Sequence, residues 1–423
     1  MKSIAVIGLG YVGLPLACLL AKNNYVVYGI DKDQNKVNLT NQGISHIDDP
    51  ELKQDVAAVK GKIIATVEDD NLAKSDIIII CVPTPIDAKH NPDFKYIVSA
   101  SNMIKQHLKK DQIIILESTV SPGTCEEVIL PILEQTGLVG GKDFELVHCP
   151  ERIDPGNKKY KLINLPRVLG GLTKQGTQRA AEFYRSFIQA PVTELTSAKA
   201  AEATKIIENT FRDINIAFVN ELAKSFDKLG IDVTEVIKGA STKPFAFMPH
   251  LPGCGVGGHC IGVDPYYLIE RGKGVGFDHK FMKLAREINN SMPNYTIMRL
   301  IKALNEIGKS IKGTKITLLG LAYKPDVDDI RESSSLKIIK KLKELGADLI
   351  IYDPFIPKQS TTQNLDQALD CEAIVLCTAH TEFLNIDPQT FKDKGIKVII
   401  DGRNCLDKDK IKDIGIVYRG IGR

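Results

Sequence analysis

No stretch of this 423-residue chain approaches the ~20 consecutive apolar residues that a membrane-spanning helix needs; its longest aliphatic runs, "DIIIICV" and "QIIIL", are strand-sized. Net charge is nearly absent as well: 55 basic against 52 acidic side chains leave +3, with lysines and acids interspersed. That balance gives no electrostatic footprint for nucleic acid or an anionic membrane surface, so neither is expected as a partner. No CxxC pair occurs among the nine cysteines, and the "GHC" at 258–260 lacks companion ligands at zinc-site spacing. No metal centre is expected. Cys81, Cys371 and Cys377 lie in apolar strand-like runs, the ordinary place of a small buried hydrophobe. Met1 leads directly into "SIAVIG", which reads as a strand, so no secretory leader is expected and a reducing, cytoplasmic setting follows.

What is there is an ordinary globular composition, 43% hydrophobic and 25% charged, in a chain long enough for roughly two to three domains. The chain also repeats itself. "KSIAVIGLGYVG" near the start is echoed by "TKITLLGLAYKP" from Thr314, "YVVYGID" by "DLIIYDP", "SDIIIICVPTP" by "CEAIVLCTAHT", and "DQIIILEST" by "IKVIIDGRN". Each is a short continuous aliphatic run ending in Gly, Pro or a polar residue, separated from the next by amphipathic sequence of helical length. Buried parallel strands with crossover helices produce that pattern. Between the two series the apolar residues recur at three and four spacing, as in "AAEATKIIENTFRDINIAFVNELAKSFDKLG", one long helix ended by Gly230. The expected class is α/β: two Rossmann-like doubly wound domains, 1–195 and 310–423, joined by a central helical domain, 196–300.

The first strand runs into Gly8-Leu-Gly10-Tyr11-Val12-Gly13, precedes a helix, and is followed by a second strand ending in Asp31. In that context Gly8 permits a tight turn, Gly10 lets backbone approach a pyrophosphate, and Gly13 with Ala17 lets helix pack on strand. Asp31 accepts from ribose hydroxyls and repels a 2′-phosphate, which favours NAD over NADP, although Lys32 beside it argues the other way. The second copy, "GLAYKP", places Ala322 where the second glycine would be and gains Lys324. It has lost the dinucleotide fingerprint, and a cation at a strand's carboxyl end suits another phosphate ligand or none.

The segment "PGCGVGGHCIGVDPYYL" concentrates glycine, cysteine, His259 and Asp264. Dense glycine lets backbone crowd a ligand and supplies N–H donors. A metal site would need more ligands nearby, and an inert cysteine belongs among apolar groups, so Cys260 reads as a nucleophilic thiol. On the long helix Lys205 and Asn209 stand at i and i+4, with Glu208 and Arg212 close by; spacing alone makes that a solvated face.

Taken in order, "GLGYVGLPLA", "CVPTP", "ESTVSPGT", "CPERIDPG", "KIIENTFRDINIAFVNE", "PGCGVGGHCIGVDPYYL" and "GLAYKPDVDDIRESSS" resemble the UDP-glucose/GDP-mannose dehydrogenase family along the whole chain. The resemblance implies an NAD-binding N-terminal domain, central helices that form a homodimer interface, and a C-terminal domain that binds the UDP of a nucleotide sugar. It implies a four-electron oxidation in which Cys260 adds to an aldehyde, the thiohemiacetal is oxidised to a thioester, and hydrolysis yields a uronate. Carried over residue by residue, Lys205 stabilises oxyanions with Asn209 beside it, and Asp264 handles protons through water. Thr119 and Glu151 surround that water, Glu151 as base for thioester hydrolysis. Arg152, Ile153, Arg212 and Gly257 fall at substrate positions, Tyr323 and Lys324 at the UDP-contacting pair, and Arg403 at a substrate arginine. Tyr11, Val12, Thr84, Thr119 and Arg331 fall at cofactor positions.

Within the family, "GHCI" and the tyrosine pair after "VDP" look more like the UDP-N-acetylhexosamine dehydrogenases, with UDP-N-acetylglucosamine as the expected substrate. UDP-N-acetylmannosamine, UDP-N-acetylgalactosamine and UDP-glucose are the alternatives. Phe245 in "KPFAF" replaces an arginine common in one branch. A two-electron hydroxyacid dehydrogenase also uses a Lys-x-x-x-Asn helix, but needs neither Cys260 nor a second α/β domain. A silent NAD-sensing protein would make the coincidence of Cys260, Lys205, Asn209 and Asp264 accidental.

Overall fold

The computed structural model describes residues 2–87, 90–153, 157, 159–258 and 260–423. The chain divides into two compact units, Met1–Glu208 with Tyr266–Phe277, and Asn209–Pro265 with Asp278–Arg423.

The first unit is built on an eight-stranded sheet. Its strands are β1 (Ser3–Ile7), β2 (Val26–Ile30), β3 (Ile63–Thr66), β4 (Ile77–Ile80), β5 (Ile113–Leu116), β6 (Glu145–His148), β7 (Arg167–Gly171) and β8 (Val192–Glu194). They lie in the order β3-β2-β1-β4-β5-β6-β7-β8, parallel throughout except for the antiparallel β6–β7 pair. The unbroken aliphatic runs have a simple cause: both faces are covered, and alternate residues serve separate cores. Ile77, Ile79, Ile113 and Ile115 pack into one, while Ile78, Ile80, Ile114 and Leu116 pack into the other.

The second unit holds five parallel strands, β9 (Lys315–Leu319), β10 (Asp348–Tyr352), β11 (Ala373–Leu376), β12 (Val398–Asp401) and β13 (Val417–Gly420), in the order β10-β9-β11-β12-β13. The four echoed sequence segments are β1, β2, β4, β5 and β9, β10, β11, β12. Each set takes the same lateral order, second-first-third-fourth, so the repeat in sequence is a repeat of topology.

The central helices run Ala198–Leu229, Val233–Ala240 and Lys280–Glu306. Gly230 closes the first with φ +71°, which an L side chain adopts only with strain. Asp232 caps the next by accepting from the Thr234 N–H at 2.9 Å. No helix among the described residues is long and apolar enough to cross a membrane.

Candidate active site

In the first unit β1 delivers the chain to the glycine turn. Gly8 has φ +95°, and a Cβ on it would stand 2.5 Å from the Cys81 carbonyl oxygen. A Cβ on Gly13 would stand 1.8 Å from the Gly8 carbonyl oxygen, so the helix Gly13–Lys22 seats against the turn only without a side chain there. Gly10 is different: a Cβ on it would meet nothing within 4 Å among the described residues. The middle glycine therefore answers no packing demand of the chain, and the open space beside it is what a pyrophosphate at a helix N-terminus requires. Tyr11 is exposed and Val12 half-buried between these glycines.

Asp31 follows β2, and its carboxylate accepts from the Leu9 N–H at 2.8 Å and the Asp33 N–H at 3.0 Å. It stands at the strand end where a ribose would bind. The Lys32 ammonium lies 4.8 Å from the centroid of the Tyr96 ring, a cation–π placement. This turn fits NAD. Buried Thr84 has its carbonyl held by the Tyr267 hydroxyl at 2.5 Å, and Tyr266 stacks on His90 with centroids 4.2 Å apart. The tyrosine pair after "VDP" thus anchors its helix to the loop carrying Thr84. Half-buried Thr119 follows Ser118, whose hydroxyl donates to the Val82 carbonyl at 2.8 Å.

Glu151 follows β6. Its Oε1 accepts from the N–H groups of Arg152 and Ile153 at 2.6 and 2.7 Å, and Oε2 lies 2.9 Å from Arg167 Nη2. The Arg152 guanidinium pairs with Glu208 and donates to the Pro166 carbonyl at 3.1 Å. Asp154, Pro155 and Gly156 of the same motif lie outside the described residues. Lys205 stands close enough to His148 to act on it: burial first, and the lysine charge second, push the imidazole down to about 3. His148 is therefore neutral at any working pH and is no candidate for acid–base work.

In the second unit the glycine-rich loop is laced onto the C-terminal α/β layer. Cys254 is buried; its N–H donates to the Gly402 carbonyl at 3.0 Å, and its sulfur lies 3.5 Å from the Ser334 hydroxyl. Gly253 donates to Asn220 Oδ1 at 3.0 Å and admits Arg403, since a Cβ on it would stand 2.9 Å from Nη1. Arg403 itself donates through Nε to the Cys377 carbonyl at 2.6 Å. A Cβ on Gly257 would stand 2.8 Å from that of Tyr323, and one on Gly258 would stand 2.7 Å from the Tyr323 ring. The Gly258 N–H donates to the Arg331 carbonyl at 3.0 Å.

Cys254 is thus the loop's anchor, and Cys260 is exposed at its far end, whereas every other cysteine is buried or half-buried. His259 lies outside the described residues. The Cys260 carbonyl accepts from the N–H of Asp264 at 2.8 Å, at the start of the helix Asp264–Gly274. Asp264 is 2% exposed and takes the Asn209 Nδ2 at 2.5 Å. The solvated face expected from helix spacing is corrected at this point: Asn209 is 7% exposed, because Asp264 pairs with it. Arg212, three residues on, is exposed. Arg331 is held by both oxygens of Asp329 at 2.6–3.1 Å, and these hydrogen bonds, with the charge of Asp329, raise its basicity. Half-buried Tyr323 donates its N–H to the Asp329 carbonyl at 3.0 Å, with Lys324 next along the chain.

The second copy of the dinucleotide turn explains its own loss of fingerprint. Asp353 occupies the place of Asp31, but its Oδ2 accepts from the N–H groups of Leu321 and Ala322 at 2.6 and 2.8 Å and lies 3.0 Å from His380 Nε2. That carboxylate is fully buried, with Ala322 and His380 as partners that Asp31 lacks among the described residues.

Sequence reading missed four residues. Arg167, Glu117 and Tyr184 form a buried polar group behind Glu151, and Tyr267 fastens Thr84. One signal was available: Arg167 opens the otherwise apolar run "RVLGG", and a charge inside a buried strand implies a buried partner.

Comparison with known proteins matches three family models in the order of the fold. Residues 2–188 match the NAD binding domain of the UDP-glucose/GDP-mannose dehydrogenase family, 199–291 its central domain and 317–408 its UDP binding domain. The chain is 37% identical to a UDP-N-acetyl-D-mannosamine dehydrogenase of Pyrococcus horikoshii over 99% of both chains. It is 38% identical to a UDP-N-acetyl-D-glucosamine 6-dehydrogenase of Pseudomonas aeruginosa, over 96% of this chain and 98% of the other. A solved structure of UDP-D-ManNAc dehydrogenase from Pyrococcus horikoshii superposes with a TM-score of 0.94 at 36% identity, covering 100% of this chain and 99% of that one.

Proposed function

The chain belongs to the UDP-glucose/GDP-mannose dehydrogenase family and is an NAD-dependent oxidoreductase, and we propose that it oxidises carbon 6 of a UDP-N-acetylhexosamine to the uronate with Cys260 as nucleophile. One observation carries the proposal: the exposed thiol of Cys260 ends a glycine-rich loop, one helical turn before a buried Asp264 that Asn209 holds.

When bound, NAD would supply the hydride acceptor for the substrate carbon, one molecule for each of two successive oxidations. The chain's residues do the rest. The first oxidation yields an aldehyde; the Cys260 thiolate adds to its carbon, and Lys205 stabilises the oxyanion. Loss of a second hydride from the thiohemiacetal leaves a thioester on Cys260. Water then attacks the acyl carbon, the C–S bond breaks with its electron pair on sulfur, and Glu151 takes the water's proton. Asp264, aimed by Asn209, exchanges protons through water, and Thr119 orients solvent. Without the thiol the reaction would stop at the aldehyde.

Tyr323, Lys324 and Arg403 hold the UDP, and Arg152, Ile153, Arg212 and Gly257 contact the sugar nucleotide. Gly8, Gly10, Tyr11, Val12, Gly13, Asp31, Thr84, Thr119 and Arg331 take the cofactor. The relatives named for mannosamine and for glucosamine support the N-acetylhexosamine class and both epimers, so UDP-N-acetylglucosamine stands beside UDP-N-acetylmannosamine as substrate. NADH release across a panel of UDP-N-acetylglucosamine, -mannosamine, -galactosamine and UDP-glucose decides among them. Turnover of hydroxyacids with none of these would sink the proposal.

The active species is proposed to be a homodimer in a reducing, cytoplasmic setting. In the second unit Phe211 and Phe218, seven residues apart on one helix, and Phe281 and Leu284 on another, are 46–66% exposed. Large apolar side chains on neighbouring turns of helix are what an isologous interface covers.

A further inference from the structure

Behind Glu151 lies a buried charge cluster that the roles above leave unused. Arg167, on β7, is 0% exposed; its Nη2 stands 2.9 Å from Glu151 Oε2 and its Nη1 3.7 Å from Glu117 Oε2. Glu117 follows β5, is 1% exposed, and accepts on Oε1 from the Tyr184 hydroxyl at 2.5 Å. Tyr184 stands on the helix Lys174–Arg185.

Two carboxylates and one guanidinium away from water would leave a net buried charge, which is costly unless it is neutralised. One proton removes it. Glu117 Oε2 and Glu151 Oε2 are both buried; Glu151 Oε2 faces Arg167 at 2.9 Å, and neither oxygen completes a hydrogen bond with a described donor. The two carboxyls are also within hydrogen-bonding reach of each other. A proton shared by the two carboxyls leaves one carboxylate opposite Arg167.

We propose that Glu117, Arg167 and Tyr184 are positioning residues for Glu151: Glu117 keeps the single proton of the pair, and Arg167 with two main-chain amides aims Glu151. Every titratable group facing Glu117 fits this division. The thiols of Cys81 and Cys149 and the Tyr184 hydroxyl have their ionisation pushed up by burial, so they are neutral, and Arg167 stays charged. Burial, opposed by Arg167, pushes Glu117 up to about 8. Below that pH Glu151 works beside a neutral acid; above it Glu117 ionises, and its negative charge favours transfer of the water's proton to the pair. Hydrolysis of the Cys260 thioester therefore carries an inflection in its pH dependence that belongs to Glu117.

The inference rests on Glu151 as the base, and the test separates the two. The full-length enzyme is loaded with NAD and UDP-sugar, quenched rapidly, and the loss of acyl-Cys260 is followed by intact mass across the pH range. In wild type the rate should rise through about pH 8. Glu117→Gln supplies a permanently neutral partner and should abolish that inflection. Tyr184→Phe removes a donor that favours the Glu117 carboxylate and should move the inflection to higher pH, a shift that a packing defect would not produce. An inflection unchanged in both variants overturns the inference. If Glu117→Gln does not fold, Tyr184→Phe alone decides, because an unmoved inflection there overturns it equally. Glu151→Gln reports on the underlying reading: acyl-enzyme that hydrolyses at the wild-type rate removes Glu151 as base, whatever Glu117 does.

Discussion

Gly10→Ala separates a glycine needed for folding from one needed for the cofactor. Its new Cβ meets nothing within 4 Å among the described residues, and the position has no left-handed φ, so the chain accepts it without strain. Stability should stay within about 0.5 kcal/mol of wild type, as for surface substitutions that break no specific feature. The methyl does occupy the space through which the turn approaches the pyrophosphate, and a tenfold weaker NAD complex corresponds to about 1.4 kcal/mol. The expectation is therefore at least that loss in NAD affinity with an unchanged melting curve. Gly13→Ala is the counterpart: a Cβ 1.8 Å from the Gly8 carbonyl oxygen and 3.2 Å from the Cys81 Cβ forces helix and turn apart, and stability falls as well. Calorimetric NAD titration and thermal melting of both variants give the answer. Wild-type NAD affinity in Gly10→Ala, or a melting temperature lowered as far as in Gly13→Ala, would refute the reasoning.

Asn209→Ala removes the amide donor from a carboxylate that is 2% exposed, so it should cost about 1–3 kcal/mol in urea unfolding and lower kcat as well. Burial works against ionisation of Asp232, but the Lys408 ammonium and the hydroxyl and N–H of Thr234 outweigh it and hold the carboxyl down at about 2. A depressed carboxyl stabilises the fold above its unfolded value of about 4 and ceases to as pH falls through the folded value. Lys408→Met should therefore lower the melting temperature relative to wild type near neutrality, and the difference should shrink toward pH 2. Phe218→Glu places a charge in the exposed apolar stripe and should halve the molar mass measured by light scattering.

The strands were legible because their burial is two-sided. A run such as "DIIIICV" has no polar alternation to confuse it, and the four echoed runs take one lateral order in both sheets. The glycine turn was legible for the same kind of reason, since Gly8 and Gly13 answer local geometry. What stayed hidden depends on partners far apart in sequence. Asn209 looks solvated until Asp264, 55 positions on, is placed against it. Glu117 follows an ordinary buried strand and becomes chemically distinct only when β7 brings Arg167 and a helix brings Tyr184. The pairing of buried Asp353 was equally out of reach, because its partner His380 lies 27 residues away.

The central claim is a four-electron oxidation through Cys260, and the ratio of NADH formed to UDP-sugar consumed tests it most directly, measured alongside uronate by mass spectrometry for wild type and Cys260→Ala. The account predicts about two NADH per sugar with uronate as the product in wild type, and no uronate from Cys260→Ala. A ratio near one in wild type, or wild-type uronate production by Cys260→Ala, would contradict it.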